Sequence, residues 1–196
     1  MFTVKKEIKI ENYDPAWALE FQQLKSVYQS NLGDLICGIE HVGSTAVEGL
    51  AAKAIIDIDL VIADRTILAA VIEKLAALGY AYRGNQGITD REAFKRLSDQ
   101  TPLDGSGRTW PNHHLYVCPQ DSVSLRNHIT LRDVLRSNPD KMKAYDALKK
   151  QLAAEHRFNM DLYIEKKTPF ITEILKEAGF DDSSIDNIVL ENRVSK

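Results

Sequence analysis

The chain has 196 residues, 44% of them hydrophobic and 27% charged, with a formal net charge of −3. That length and apolar content are enough for one substantial core. The lack of a basic excess argues against a general nucleic-acid binder, although a local basic groove is compatible with it. No apolar run is long enough to cross a bilayer, and the N-terminus lacks the hydrophobic stretch of a secretory signal, which points to a cytoplasmic protein. Cys37 and Cys118 form no CxxC pattern, so both are expected to be small buried core residues rather than zinc ligands or a disulfide.

In chain order, residues 4 to 10 alternate through Val4, Ile8 and Ile10 and predict a short edge strand. Asp14-Pro15 then reads as a helix start, because aspartate can hold free amides and proline suits the first turn. Trp17, Phe21, Leu24 and Tyr28 follow at helical spacing, up to a stop at Gly33. Residues 35 to 42 predict a buried strand and 54 to 62 a second, clearer one. A helix over 66 to 78 buries Leu68, Val71, Ile72, Leu75 and Leu78. Short strands are expected near Tyr80–Tyr82 and Glu92–Leu97, then a loop over 98 to 112, which is rich in turn formers. Residues 113 to 118 make another strand.

From about residue 121 the pattern is helical only. Asn138-Pro139 repeats the cap-plus-proline signal, and Met142, Tyr145, Leu148 and Leu152 mark a core face. A further helix runs from Asp161 to Ala178, and the tail predicts an amphipathic helix around Ile185, Val189 and Leu190. The fold class is therefore α+β: a mixed β-sheet with helices on one face and a C-terminal helical extension. We expect one domain over 1–196, with an α/β core to about residue 120 and a helical subdomain over about 121–196.

The chemistry lies in AIIDIDLVI. Side chains alternate along a strand, so Ile56, Ile58, Leu60 and Ile62 share one face, and Asp57 and Asp59 share the other. Two carboxylates so close repel, and a divalent cation with oxygen ligands relieves the repulsion. Aspartate is disfavoured inside strands, and such violations gather at functional sites. Upstream, His41-Val42-Gly43-Ser44-Thr45 follows a predicted strand. Glycine allows close backbone approach to a phosphate, and hydroxyls or free amides at a helix start hold anionic oxygens.

The run HVGSTAVEGLAAKAIIDIDLVI closely resembles the signature of the GrpB family, which is placed in the DNA polymerase beta-type nucleotidyltransferase superfamily. YDPAWALEF, HHLYV, LRDVLRSNP, YDALKKQLA and YIEKKTPFITEIL resemble it in the same order, so the similarity runs from about Tyr13 to Gly179. The resemblance implies a nucleotidyltransferase-type sheet and a metal-dependent nucleotidyl-transfer site. Asp57 and Asp59 would be its catalytic metal ligands, Mg²⁺ or Mn²⁺ its cofactor, and a nucleoside triphosphate its substrate, held at Gly43 and Ser44. Similar domains fused to dephospho-CoA kinase add a coenzyme connection. Active members of the wider superfamily supply a third carboxylate from a later strand, but here that strand begins with His113-His114 and carries no acid. The candidates for the vacant role are His114, Asp90 and Glu92.

Other residues offer positive charge to a phosphate. Lys53 stands just before the aspartate strand. Arg96 shares a strand face with Phe94. His128, Arg132 and Arg136 form an i, i+4, i+8 row, which Lys149 joins if the next helix packs antiparallel; Arg132 is preferred for its place nearer the sheet. No P-loop or hydrolase triad is present. The reading is a nucleotidyltransferase acting on a small-molecule nucleotide. Its rivals are a catalytically silent nucleotide- or coenzyme-binding module and an interaction domain without nucleotide.

Overall fold

The computed structural model describes residues 7–193. The alternation in the aspartate strand sets the architecture. Strand β2 (Ile56–Ile62) buries its isoleucines and Leu60 on one face. It pairs antiparallel with β1 (Gly38–Val42) and parallel with β5 (His113–Pro119). β5 pairs antiparallel with β4 (Glu92–Arg96), which pairs antiparallel with β3 (Tyr80–Tyr82). The five-stranded mixed sheet has the order β1-β2-β5-β4-β3.

Helices α1 (Ala16–Leu32) and α2 (Leu68–Ala77) cover the apolar face. Phe21, Leu24 and Tyr28 of α1 and Val71 and Leu75 of α2 pack there on Ile56, Ile58, Leu60, Leu115 and Val117. A polar chain threads this core: the Tyr28 and Tyr80 hydroxyls lie 2.6 Å apart, and Tyr80 Oη lies 2.5 Å from His113 Nε2.

After β5 the described chain is helical: α3 (Val123–Ser137), α4 (Pro139–Glu155), α5 (Met160–Glu177) and α6 (Asp182–Glu191). Ser122, Asn138, Asn159 and Asp181 each accept a backbone N–H at the start of one of these helices, which fixes where it begins. Helix α3 lies against the second face of the sheet, where Leu125 and Ile129 meet Val61 and Cys118. The C-terminal extension is thus a lid over the aspartate face.

Three expectations change. Of the strand over 4 to 10, residues 4 to 6 lie outside the described residues and 7 to 10 carry no strand. Ile8 instead packs on Leu152 and Tyr163, and the first ladder contact is a bridge from Glu11 to Ala52. Cys37 is exposed, because it sits just before β1; only Cys118 is in the core. In α6 the buried residues are Ile185 and Ile188, one turn apart, whereas Val189 and Leu190 are exposed.

Candidate functional site

Strand register decides which side chains meet on the second face. Asp57 lies between Val42 and His114, and Asp59 lies between Glu40 and Tyr116. His114 Nδ1 donates to Asp57 Oδ1 at 2.9 Å, and His128 Nδ1, from α3, donates to Asp59 Oδ2 at 2.7 Å. A carboxylate only accepts, so Nδ1 carries the proton in each case.

Asp59 is fully buried, and its Oδ1 has no hydrogen-bond partner among the described residues. Such an orphan is costly and demands an explanation, an ion among them. Burial works against charge on Asp57, yet the hydrogen bond and charge of His114, then Lys53 and His128, outweigh it and hold the carboxyl below its usual pKa. Burial also works against charge on His128, but Asp59 overrides it and raises the imidazole's pKa.

Gly43 closes the turn after β1 with φ 69° and ψ −170°, a conformation open almost only to glycine. A Cβ placed there would come within 3.0 Å of Asp57 Cγ, and closer still to its carboxylate oxygen. Glycine is therefore required for close approach to Asp57 itself. Ser44 follows in a 3₁₀ turn (Ser44–Ala46) and lines the site cavity, and its hydroxyl has no hydrogen bond among the described residues.

That cavity has a volume of about 200 Å³ and lies between the aspartate face and helices α3, α4 and α5. Asp57, His114 and His128 form its floor, and Lys53, Lys149 and Lys167 line it too. Lys149 is only 1% exposed; its Nζ donates to the Ala51 carbonyl and lies 5.1 Å from the Tyr145 ring centre. Burial, then the like charge of Lys167, lowers its pKa to about 7. Burial, then Lys53, lowers that of Lys167 to about 8, with Asp57 opposing. Three lysines held together at such cost fit a polyanion.

The remaining candidates lie elsewhere or do other work. The Arg132 guanidinium lines the cavity, but Nη1 reaches Glu40 Oε2 at 2.6 Å and the His41 carbonyl at 3.1 Å, and Nε reaches Asp133. Arg136 Nε donates to the Ala46 carbonyl at 2.9 Å. The basic row thus fastens α3 to the sheet and to the Gly43–Ser44 turn. Arg96 is on the opposite face, donating to the carbonyls of Asp99, Pro111 and Trp110.

Neither candidate third acid stands beside the aspartates. Asp90 is taken by Arg65 through two hydrogen bonds. Glu92 faces the other way, opposite Val117, and accepts from the Tyr82 hydroxyl at 2.5 Å. Among the described residues no three histidines, cysteines or acids gather in a group that could hold a metal. Of the three candidates His114, Asp90 and Glu92, only His114 is at the pair, as a hydrogen-bond partner. Lys167 carried no sequence signal, since a lysine facing a cavity and one facing water look alike in helical periodicity.

No helix among the described residues is long and apolar enough to cross a membrane. Residues 7–177 match the family described as GrpB protein. UPF0157 protein YqkA of Bacillus subtilis is 33% identical over 85% of this chain, which spans about half (46%) of YqkA. Glutamate-rich protein GrpB of Alkalihalophilus pseudofirmus is 30% identical over 88% of this chain and 97% of that protein. The crystal structure of conserved protein GrpB from Enterococcus faecalis superposes with a TM-score of 0.72 at 30% identity, covering 87% of this chain and 96% of that one. The match takes in both the aspartate-bearing strand and the helices that roof it, and the chain belongs to the GrpB family.

Proposed function

We propose that the protein is a nucleotidyltransferase-type enzyme that transfers a nucleotidyl group from a nucleoside triphosphate to a second molecule. The observation that carries this reading is that Asp57 and three lysines line one cavity, with Asp59 directly behind. Carboxylates repel phosphates, so acids and lysines in one cleft make sense together when a cation sits on the acids and the phosphates lie between.

The residues fit a hard divalent cation. Mg²⁺ is commonly held by one or two carboxylates plus substrate phosphates, so two aspartates suffice for it. The orphaned Asp59 Oδ1 supplies a buried oxygen that lacks a partner. Asp57 and Asp59 would hold the ion, which when bound would neutralise charge developing at the transferred phosphoryl.

The chain's own residues do the rest. Lys53, Lys149 and Lys167 hold the β- and γ-phosphates and bias the leaving pyrophosphate. Gly43 keeps the turn tight against Asp57, and Ser44 offers its hydroxyl and the turn's backbone to the phosphates. His114 and His128 fix the carboxylates in rotamer and charge state. An acceptor oxygen forms a bond to the α-phosphorus, the bridging bond to the β-phosphate breaks, pyrophosphate departs, and the acceptor's proton passes to water.

A second reading, a silent nucleotide- or coenzyme-binding module, is favoured by one observation. A histidine already holds one oxygen of each aspartate, and among the described residues no third acid gathers with them in a group that could hold a metal. A panel of nucleoside triphosphates with Mg²⁺ or Mn²⁺ and hydroxyl- or phosphate-bearing acceptors, assayed for pyrophosphate release, separates the two. Release that needs both cation and acceptor is the expected result. Tight binding with no release across the panel would establish the module instead.

A further inference from the structure

A second cavity, of about 240 Å³, opens on the other side of His128. His128, Leu131 and Ile171 line both cavities, so the second space adjoins the aspartate centre through one shared wall. Its other walls are α6 and the segment 88 to 91 that leads into β4.

The chain takes trouble to hold that segment in place. Asp90 is gripped by Arg65, and its carbonyl accepts from the Ser124 hydroxyl at 3.2 Å. The Thr89 amide donates to Glu191 of α6 at 2.9 Å. Gln86 and Asp90 adopt φ of 52° and 57°, a left-handed conformation that side chains rarely take. What this frame positions is Arg91.

Its guanidinium lies 4.4 Å from the ring centre of Tyr116, the neighbour of Asp59 in the sheet. It makes no ion pair among the described residues, and its buried Nε has no acceptor. An arginine fork of donors left without an acceptor at the wall of a cavity calls for a planar or tetrahedral oxyanion. Asn127, Asn187 and Asn192 add donors and acceptors to the same walls. The volume suits a small molecule.

We propose that this cavity is the acceptor site and takes a small, hydroxylated oxyanion, a carboxylate or a phosphate monoester, whose charged end pairs with Arg91. The word acceptor rests on the transferase reading; the binding site does not. The lysine cavity would also attract such anions, so binding is measured in a Lys167→Gln background, without nucleotide or divalent cation.

Malate and inorganic phosphate, titrated calorimetrically, represent the two sources of the oxyanion. At least one is expected to bind. Adding Arg91→Gln should weaken it by about tenfold or more, as loss of a charge-assisted hydrogen bond does. Asn187→Asp, on an exposed position of α6 where folding is not at risk, should weaken it as well with an unchanged melting temperature. Failure of both probes to bind at millimolar concentration, or binding indifferent to Arg91→Gln and Asn187→Asp, would overturn the proposal. Because no metal or nucleotide enters this experiment, its failure leaves the transferase reading to be judged on its own tests.

Discussion

Gly43→Ala is expected to cost about 3 kcal/mol or more of folding stability and to disable the site. Two effects add. The backbone conformation at φ 69°, ψ −170° is one that only glycine takes at low cost, worth about 1–3 kcal/mol to any other residue. The new Cβ would also press on the Asp57 carboxylate, 3.0 Å from Cγ, so the turn or the strand must shift. Gly84→Ala provides the control, with a similar φ of 67° but no atom within 4 Å of the added Cβ. Urea unfolding should show Gly84→Ala losing about 1–2 kcal/mol, the left-handed penalty alone, and Gly43→Ala clearly more. Equal losses would mean that contact with Asp57 plays no part in the requirement for glycine.

Lys149→Met should move stability in the opposite direction, with a gain of about 1–3 kcal/mol at pH 6. A buried charge replaced by an apolar side chain of similar size is often stabilising, and about 1 kcal/mol is returned through the lost hydrogen bond to Ala51. The groups facing Lys149 are mostly of like sign, Lys53, Lys150 and Lys167, with Asp146 opposing. Its pKa is lowered on folding from 10.5 to about 7. Below pH 7 both states carry the proton and the burial penalty is felt in full. Between pH 7 and 10.5 the unfolded chain binds the extra proton, so this contribution to stability rises with pH by on the order of 5 kcal/mol. Stability of the wild type measured against Lys149→Met from pH 6 to 10 isolates it from other titrations: the variant's advantage should shrink as pH rises. An advantage constant with pH would show that the lysine is not strained by burial. The same variant should bind triphosphate at least tenfold more weakly at pH 6, and wild-type affinity should fall as pH passes 7 to 8, where Lys149 and then Lys167 lose their protons.

The parts of this structure that were readable from sequence are those governed by local rules. Period-two alternation put Asp57 and Asp59 on one face, and His113 and His114 on opposite faces, as observed. Helical spacing marked Phe21, Leu24 and Tyr28, and the Asn138-Pro139 cap marked the start of α4. The failures come from docking, which no local rule specifies. Alternation marks β4 as a strand but not its register, so it does not tell which face Arg96 and Glu92 take; pairing opposite Val117 turns Glu92 to the far face. Asp90 was a nearby acid in sequence, but a bidentate arginine holds it. Helical spacing puts His128 in a basic row, and its contact with Asp59, 69 residues away, depends on how α3 crosses the sheet. Lys167 and Arg91 gain meaning only once a cavity surrounds them.

Calorimetric titration of a nucleoside triphosphate, with and without Mg²⁺, into wild type and Asp57→Asn/Asp59→Asn tests the central claim most directly. Asparagine keeps the shape and can still hydrogen-bond His114 and His128, so the double variant should unfold at a temperature close to that of the wild type. The account predicts Mg²⁺-dependent binding to the wild type and its loss in the double variant. Equal affinity in the two proteins, or wild-type binding that ignores Mg²⁺, would contradict it.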